Sequence, residues 1–313
     1  MNLSVEWKKV NASARLCLIG GIFSLMVAMG IGRFAYTPIL PLMQEALRFS
    51  DAAAGYLASS NYAGYFVGAL LTGVLPLKRH RIFYLKSSLV VSAMTTCMMG
   101  FSHSYTLMLA LRFFSGTASA FIFVSASSIV LDQLAAAGKT NEAGHFYSGV
   151  GLGILLSALL IPGFNKLFTW EGTWIGLSVL SGILTVFAWL WIKDSPNPQS
   201  IKENRTAPSH AHEQTVPTQG PSRKWLPWLI AAYGLEGLGY IVTGTFMVSI
   251  AERTPSFGIE PAIVWMVVGL GAIPSCIVWS TLAQKRGFVK SLVVSMILQS
   301  IGIAVPVFRA SPS

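Results

Sequence analysis

The sequence predicts an all-α protein embedded in a membrane, with about nine transmembrane helices. Charged residues make up 11% of the 313 residues and apolar types 53%, whereas an average soluble domain is about one quarter charged. The mean hydropathy is +0.60. Nine apolar runs in the chain have roughly the 20 residues that cross the hydrocarbon core of a bilayer. These observations exclude a soluble domain.

The predicted spans follow one another at short intervals, with one exception. They cover residues 16–40, 53–76, 82–101, 105–131, 146–164, 170–192, 225–250, 262–283 and 289–308. The exception is the segment 193–224, which is polar, rich in Pro and Ser, and without an apolar helical face, as in a flexible linker. His210 and His212 lie there without the further ligands that a metal site needs. The chain thus divides into a six-helix N-terminal half (1–192), a cytoplasmic linker, and three C-terminal helices (225–313).

The distribution of Lys and Arg predicts the orientation. With the N-terminus in the cytoplasm, fifteen of these residues lie in cytoplasmic segments and four on the opposite side, which is the positive-inside pattern. The sequence therefore predicts a multi-pass protein of the cytoplasmic (inner) membrane. The net charge of +10 follows from this topology. It does not indicate nucleic acid, since the cations are not gathered on one solvated face with aromatic residues.

Neither the cysteines nor the glycine patterns indicate a cofactor or metal. Cys17, Cys97 and Cys276 each lie in an apolar segment, at spacings that fit neither a disulfide framework nor a metal site. The Gly-x-Gly patterns fall inside predicted helices and do not follow a strand, as dinucleotide binding would require. We interpret both as helix packing.

The sequence contains a weak internal repeat. A shift of 207 residues superposes four pairs without a gap: Gly30 and Gly237, Gly32 and Gly239, Lys78 and Lys285, Arg79 and Arg286. The same shift places the first three spans on the seventh to ninth. A six-helix half followed by a parallel copy is the layout of transporters whose halves are related by an axis along the membrane normal. On this interpretation a complete chain would reach about residue 399, with three further helices; the alternative is a complete nine-span protein.

Three segments resemble the major facilitator superfamily, and within it the YbfB/YjiJ-type group. They are GIGRFAYTPILPLM at 30–43, ASSNYAGY at 58–65 and YGLEGLGY at 233–240. The resemblance implies a helical bundle that transports small solutes. Arg112 with Gly116 is similar to the superfamily's Arg-x-x-x-Gly element, which implies a role in proton coupling.

The superfamily's motif between the second and third helices is present in altered form. Four residues match its frame: Gly73, Lys78, Arg79 and Arg81. Leu77 stands in place of the motif's acid and His80 in place of its second glycine. The repeated copy keeps Lys285 and Arg286 but has Gln284 at the acidic position. The resemblance implies that these basic residues form the cytoplasmic gate loop, with a lock that differs from the usual one.

Ionisable residues inside the spans are the main functional candidates, because each costs at least about 2.5 kcal/mol to insert. Arg33 either binds an anionic substrate in a central cavity or anchors its helix. Pro38 and Pro41, which follow it, are expected to bend or end this helix. Glu236 is either a proton carrier that pairs with Arg33 or Arg112 in one conformation, or part of a structural ion pair. Other candidates for the cavity, or for packing between helices, are Tyr36, Asn61, Tyr62, Tyr65 and Tyr240.

The leading hypothesis is a secondary transporter of a small organic solute that works by alternating access and is coupled to protons. The two arginines favour an anion, and the expected partners are the lipid bilayer, the solute and protons. One alternative is a truncated product that inserts but does not transport. A membrane-embedded enzyme is disfavoured, because no His, Cys or carboxylate cluster with catalytic spacing lies within the spans.

Overall fold

The structure is a computed structural model that describes residues 3–193, 225–253 and 261–309. The predicted linker, with His210 and His212, lies outside these ranges except for Lys193. Within them the chain is helical and no strand occurs. The helices are α1 (Leu3–Leu25), α2 (Tyr36–Leu47), α3 (Asp51–Val74), α4 (Leu77–Phe101), α5 (Tyr105–Ala136), α6 (Ala143–Trp191), α7 (Leu226–Glu252), α8 (Pro261–Arg286) and α9 (Phe288–Arg309).

Seven helical segments among the described residues are long and apolar enough to cross a membrane. The predicted number of nine is not confirmed and stays a prediction. Two features account for the difference. The predicted fifth and sixth spans join in α6, where Thr169 has non-helical angles (φ 64°, ψ −171°). The predicted second span, α3, is a 24-residue helix that is not among the seven.

The first predicted span is a helix with a break in its middle. A π-helical turn, Met26–Ile31, follows α1, and residues 32–35 leave the helix before α2 begins. The break therefore precedes Pro38 and Pro41, which were expected to bend or end this helix. Pro38 lies in the first turn of α2, where its missing N–H leaves no bond unmade, and α2 continues past Pro41 to Leu47. Because Pro38 has no N–H to donate to the Phe34 carbonyl, a break at 32–35 is where this proline is expected to bend the helix. The alternative, that the prolines end the helix, was wrong.

Glycines set the closest approach between α3 and α5. A Cβ at Gly64 would lie 1.9 Å from the Phe113 carbonyl oxygen, and one at Gly116 would lie 2.0 Å from the Asn61 carbonyl oxygen. The two backbones are therefore in direct contact, as small residues permit between membrane helices. This contact holds Asn61 beside the middle of α5.

The C-terminal helices join the bundle mainly through α8, which packs along α6. A Cβ at Gly151 would lie 2.7 Å from the Ile273 nitrogen, and one at Gly269 would lie 2.7 Å from the Leu155 nitrogen. A second junction joins α2 to α7, where the Thr37 hydroxyl donates to the Gly244 carbonyl at 3.0 Å. Elsewhere α7 and α9 expose large apolar side chains such as Trp228 and Phe288, as surfaces in contact with lipid do.

Candidate functional site

Arg112 is the most deeply buried charged residue of the central region, with 3% of its surface exposed. Its guanidinium donates to the carbonyl of Gly32 at 3.1 Å and to that of Leu57 at 3.4 Å. Its guanidinium carbon lies 4.6 Å from the centre of the Tyr36 ring. The Gly32 carbonyl is exposed by the break between α1 and α2 and also accepts a bond from Ser115. Backbone oxygens and a ring thus surround this charge.

Arg33 lies in the break itself, half-buried among aromatic rings. Its guanidinium carbon is 4.7 Å from the centre of the Tyr65 ring, 4.9 Å from that of Tyr62 and 5.3 Å from that of Phe34. All three distances are typical of cation–π contacts. Its Nε atom is buried and has no hydrogen-bond partner among the described residues. The group is held in place by rings, while one of its donors is left unused.

Within the described ranges, neither Arg33 nor Arg112 is in an ion pair with a carboxylate; the ion pairs there involve other residues. Two positive charges therefore share a buried region without a compensating acid. In a low-dielectric interior such charges attract an anion strongly.

Two further predicted residues support this region. Tyr36 is buried, and its hydroxyl donates to the Ala54 carbonyl at 2.9 Å. Asn61 is fully buried, and its Nδ2 atom donates to the Arg112 carbonyl at 2.9 Å. The Asn61 Oδ1 atom has no partner among the described residues. Both residues tie α3 to the arginine-bearing segments.

The C-terminal helices reach the same region at two points. The hydroxyls of Tyr62 and Thr245 are 3.0 Å apart. The Trp265 ring lies 6.4 Å from the Phe34 ring, centre to centre. Trp265 is 2% exposed, and its Nε1 atom has no hydrogen-bond partner in the described part of the chain. The sequence did not single out Trp265, because a tryptophan near the start of a span is typical of the membrane interface.

Glu236 lies apart from both arginines in this conformation. Its carboxylate accepts a bond of 2.8 Å from the Gln299 amide, beside a cavity of 260 Å³ between α7 and α9. Tyr240, one helical turn away, lies within electrostatic reach of Arg33, Tyr62 and Glu236. The expected pairing of Glu236 with an arginine is absent here and stays a prediction for another conformation.

The residues predicted for the basic gate loop lie on helices and not together in one loop. Arg81 lies on α4, largely buried, where it forms an ion pair with Asp132 of α5 and a hydrogen bond of 3.3 Å to Ser128. Asp132 was not predicted; it supplies a carboxylate to this region from another helix. Gly73 lies in the last turn of α3 with open space around it.

The remaining basic residues of this set lie at helix ends. Lys285 and Arg286 occupy the exposed last turn of α8, where cations interact favourably with the helix dipole. The side chains of Lys78 and Arg79 lie outside the described part.

An exposed ion pair joins α3 to α7 at the end of the bundle farthest from residues 193 and 225. The Arg253 guanidinium donates to both carboxylate oxygens of Asp51, at 2.7 and 2.9 Å. Gln44 adds a third bond to Asp51 at 2.9 Å. These hydrogen bonds from Arg253 and Gln44 lower the pKa of Asp51 to about 2. The two parts of the chain are therefore fastened together at this end, which we call the ion-paired end.

A separate cavity of 580 Å³ lies between α7, α8 and α9, away from the arginines. It is lined largely by aromatic and aliphatic side chains, including Trp225, Trp228 and Trp279. A cavity without charged groups on the outer side of these helices fits acyl chains better than a polar solute. We therefore place the candidate site at the arginines. Among the described residues no cluster of metal-binding side chains occurs, and the three cysteines form no disulfide.

A helical bundle with several apolar spans and uncompensated charges in its interior is typical of polytopic membrane proteins that move solutes or ions. A family model described as "Uncharacterised MFS-type transporter YbfB" matches residues 25–313, and the chain belongs to this family. It is also similar to the "Uncharacterized MFS-type transporter YceJ" of Bacillus subtilis (strain 168), with 24% identity over 299 residues, covering 91% of this chain and 72% of that protein. The superfamily predicted from the sequence is confirmed, and the family is one of transporters, not of enzymes.

Proposed function

We propose that the protein is a secondary transporter that carries a small organic anion, together with protons, across the cytoplasmic membrane. The observation that carries this proposal is the pair of guanidinium groups of Arg112, which is buried, and Arg33, which is half-buried; neither has a carboxylate partner in the described residues. Membrane interiors rarely retain such charges without a functional reason. An anion bound at this place supplies the missing negative charge.

Arg33 is the group that binds the solute, and Arg112 has a supporting role. Two nitrogens of the Arg112 guanidinium donate to the carbonyls of Gly32 and Leu57, so this residue stabilises the break between α1 and α2 and adds positive potential. Arg33 keeps its Nε donor unused. A guanidinium group presents paired donors that match a carboxylate, and rings on its faces hold it in place.

Alternating access gives the solute a path through the bundle. We propose that the six-helix half (1–192) and the C-terminal part (225–313) rock against each other, with the linker and the N-terminus in the cytoplasm. The ion-paired end is then the outer end, closed by Asp51 and Arg253 in this conformation. Opening there requires that this exposed pair and the Tyr62–Thr245 contact separate.

Glu236 is the proposed proton carrier. It is a carboxylate inside a span, partly buried, and its only hydrogen bond from a described side chain comes from the neutral Gln299 amide. Tyr240 interacts electrostatically with both Glu236 and Arg33. Proton binding at Glu236 changes the charge near the solute site and thereby couples proton binding to solute binding.

Reconstituted protein tests the proposal directly. Liposomes loaded with pyranine report proton entry when a pH gradient and an external solute are applied. A panel of benzoate, succinate, glucose and benzylamine separates anions from neutral and cationic solutes. We expect proton entry to accompany at least one anion and to disappear in Arg33→Gln, while Lys166→Gln, which removes an exposed cation, behaves as wild type. Folded protein that moves no protons with any of the four would contradict the proposal.

A further inference from the structure

We infer that Trp265 is a second binding group at the Arg33 site and that the site takes a small aromatic monocarboxylate. The inference rests on the proposed function and makes it more specific. It assigns the solute's carboxylate to Arg33 and to the Trp265 indole N–H, and the solute's ring to the surrounding aromatic side chains.

The first step concerns the state of the Trp265 side chain. It is 2% exposed, yet its Nε1 atom has no hydrogen-bond partner among the described residues. Indole N–H groups usually find an acceptor when they are buried, since an unmade bond in the interior destabilises the fold. Trp174 shows the usual behaviour, because its Nε1 atom donates to the Met43 sulfur at 3.4 Å. Trp265 is therefore a donor that lacks its acceptor.

The second step concerns the position of this donor. The Trp265 ring packs at 6.4 Å from the Phe34 ring, and the Arg33 guanidinium carbon lies 5.3 Å from the same ring. Two groups thus lie beside the Phe34 ring, and each has a buried, unused donor atom: Trp265 Nε1 and Arg33 Nε. One belongs to α8 and the other to the break between α1 and α2. A ligand that binds both donors would link the two parts of the chain.

The third step concerns the chemistry of such a ligand. A carboxylate has two oxygens in one plane and accepts charge-assisted bonds from a guanidinium and from a neutral N–H at once. The other walls are the rings of Phe34, Tyr62 and Tyr65, which favour an apolar, flat body. A sugar or inorganic phosphate would need more polar partners than these walls offer. An amine would meet two positive charges. An aromatic monocarboxylate satisfies all of these conditions.

Equilibrium dialysis of radiolabelled benzoate against detergent-solubilised full-length protein tests the inference. Trp265→Phe keeps a six-membered aromatic ring and removes the pyrrole ring with its N–H, so the lost bond should raise the Kd for benzoate roughly tenfold or more. Trp174→Phe is the matched control, because Trp174 is equally buried and lies outside the arginine cluster; its Kd should stay within about twofold of wild type. Unlabelled phenylacetate should compete, and benzyl alcohol and phosphate should not.

Ligand-free stability distinguishes a binding role from a structural one. Trp265→Phe and Trp174→Phe each leave a cavity of similar size, but only Trp174 loses a hydrogen bond that was made. Ligand-free Trp265→Phe should therefore melt no lower than ligand-free Trp174→Phe, and benzoate should stabilise Trp265→Phe less than it stabilises wild type. A Trp265→Phe Kd equal to that of wild type, with binding lost in Arg33→Gln, would overturn the role of Trp265 and leave the proposed function intact. If wild type transports another anion but does not bind benzoate or phenylacetate, the aromatic class is wrong. If no anion binds or moves, the proposed function itself fails.

Discussion

Replacing Gly116 by alanine should loosen the contact on which the arginine cluster depends. The added Cβ would lie 2.0 Å from the Asn61 carbonyl oxygen and 2.9 Å from the Tyr65 backbone nitrogen. These are backbone atoms, so no side-chain rotation can relieve the overlap. To restore an ordinary contact, α3 and α5 must separate by at least about 1 Å. Overpacking of this kind costs about 1–3 kcal/mol.

Thermal unfolding in detergent, followed with a thiol-reactive dye or by size-exclusion chromatography, measures this change. A loss of 1–3 kcal/mol should lower Tm by several degrees in a chain of this size. Gly73→Ala is the matched control, because Gly73 lies on α3, the helix that packs against Gly116, with nothing within 4 Å of the added Cβ; it should be neutral or slightly stabilising. The Asn61–Arg112 bond should weaken in Gly116→Ala as the helices separate. Equal Tm values for the two variants would refute the close-contact reasoning.

Three further perturbations test other parts of the structure. Arg253 lowers the pKa of Asp51 from its ordinary 3.8 to about 2. The Asp51–Arg253 ion pair should therefore persist above about pH 4 and weaken only as the pH falls toward 2. At pH 7, Asp51→Asn should widen spin-label distances across the ion-paired end. Glu236→Gln should remove the pH dependence of solute uptake in liposomes, and an unchanged pH profile would exclude the carrier role. Arg81→Met should lower stability by about 1 kcal/mol because Asp132 is partly exposed, and adding Asp132→Asn should have little further effect on Tm.

The class and the family of this protein could be predicted from the sequence, because both depend on features that are visible in the linear order of residues. Long apolar runs require membrane-spanning helices whatever their arrangement. The segment 30–43 carries the resemblance in consecutive residues. Arg33 and Arg112 also stood out, since a charge inside an apolar run is visible without a structure.

The partners of these charges were harder to predict, because they come from distant parts of the chain. Arg112 bonds to the Gly32 carbonyl, which is available only because the helix breaks at residues 32–35. The sequence predicted a bend from Pro38 and Pro41, but it did not indicate that the Gly32 carbonyl would accept from Arg112. No side-chain pattern reports which backbone carbonyl a break will expose.

The partners of the acidic residues were equally hard to predict from the sequence. The altered motif indicated that a carboxylate was missing near Arg81, and Asp132 in fact pairs with it from α5. Glu236 was expected beside an arginine, whereas in this conformation it bonds to Gln299. Charge complementarity suggests that a partner exists, but the rotation of each helix about its own axis decides which one it contacts.

The hydrogen bond between Thr37 and Gly244 joins two residues that are 207 positions apart, which is also the spacing of the internal repeat. Two equivalent positions can touch each other only on the axis that relates the two copies. On the predicted repeat, this contact therefore lies on the axis between the two copies. Gly244 also directly precedes Thr245, so in the proposed cycle the Thr37–Gly244 bond should separate together with the Tyr62–Thr245 contact when the ion-paired end opens.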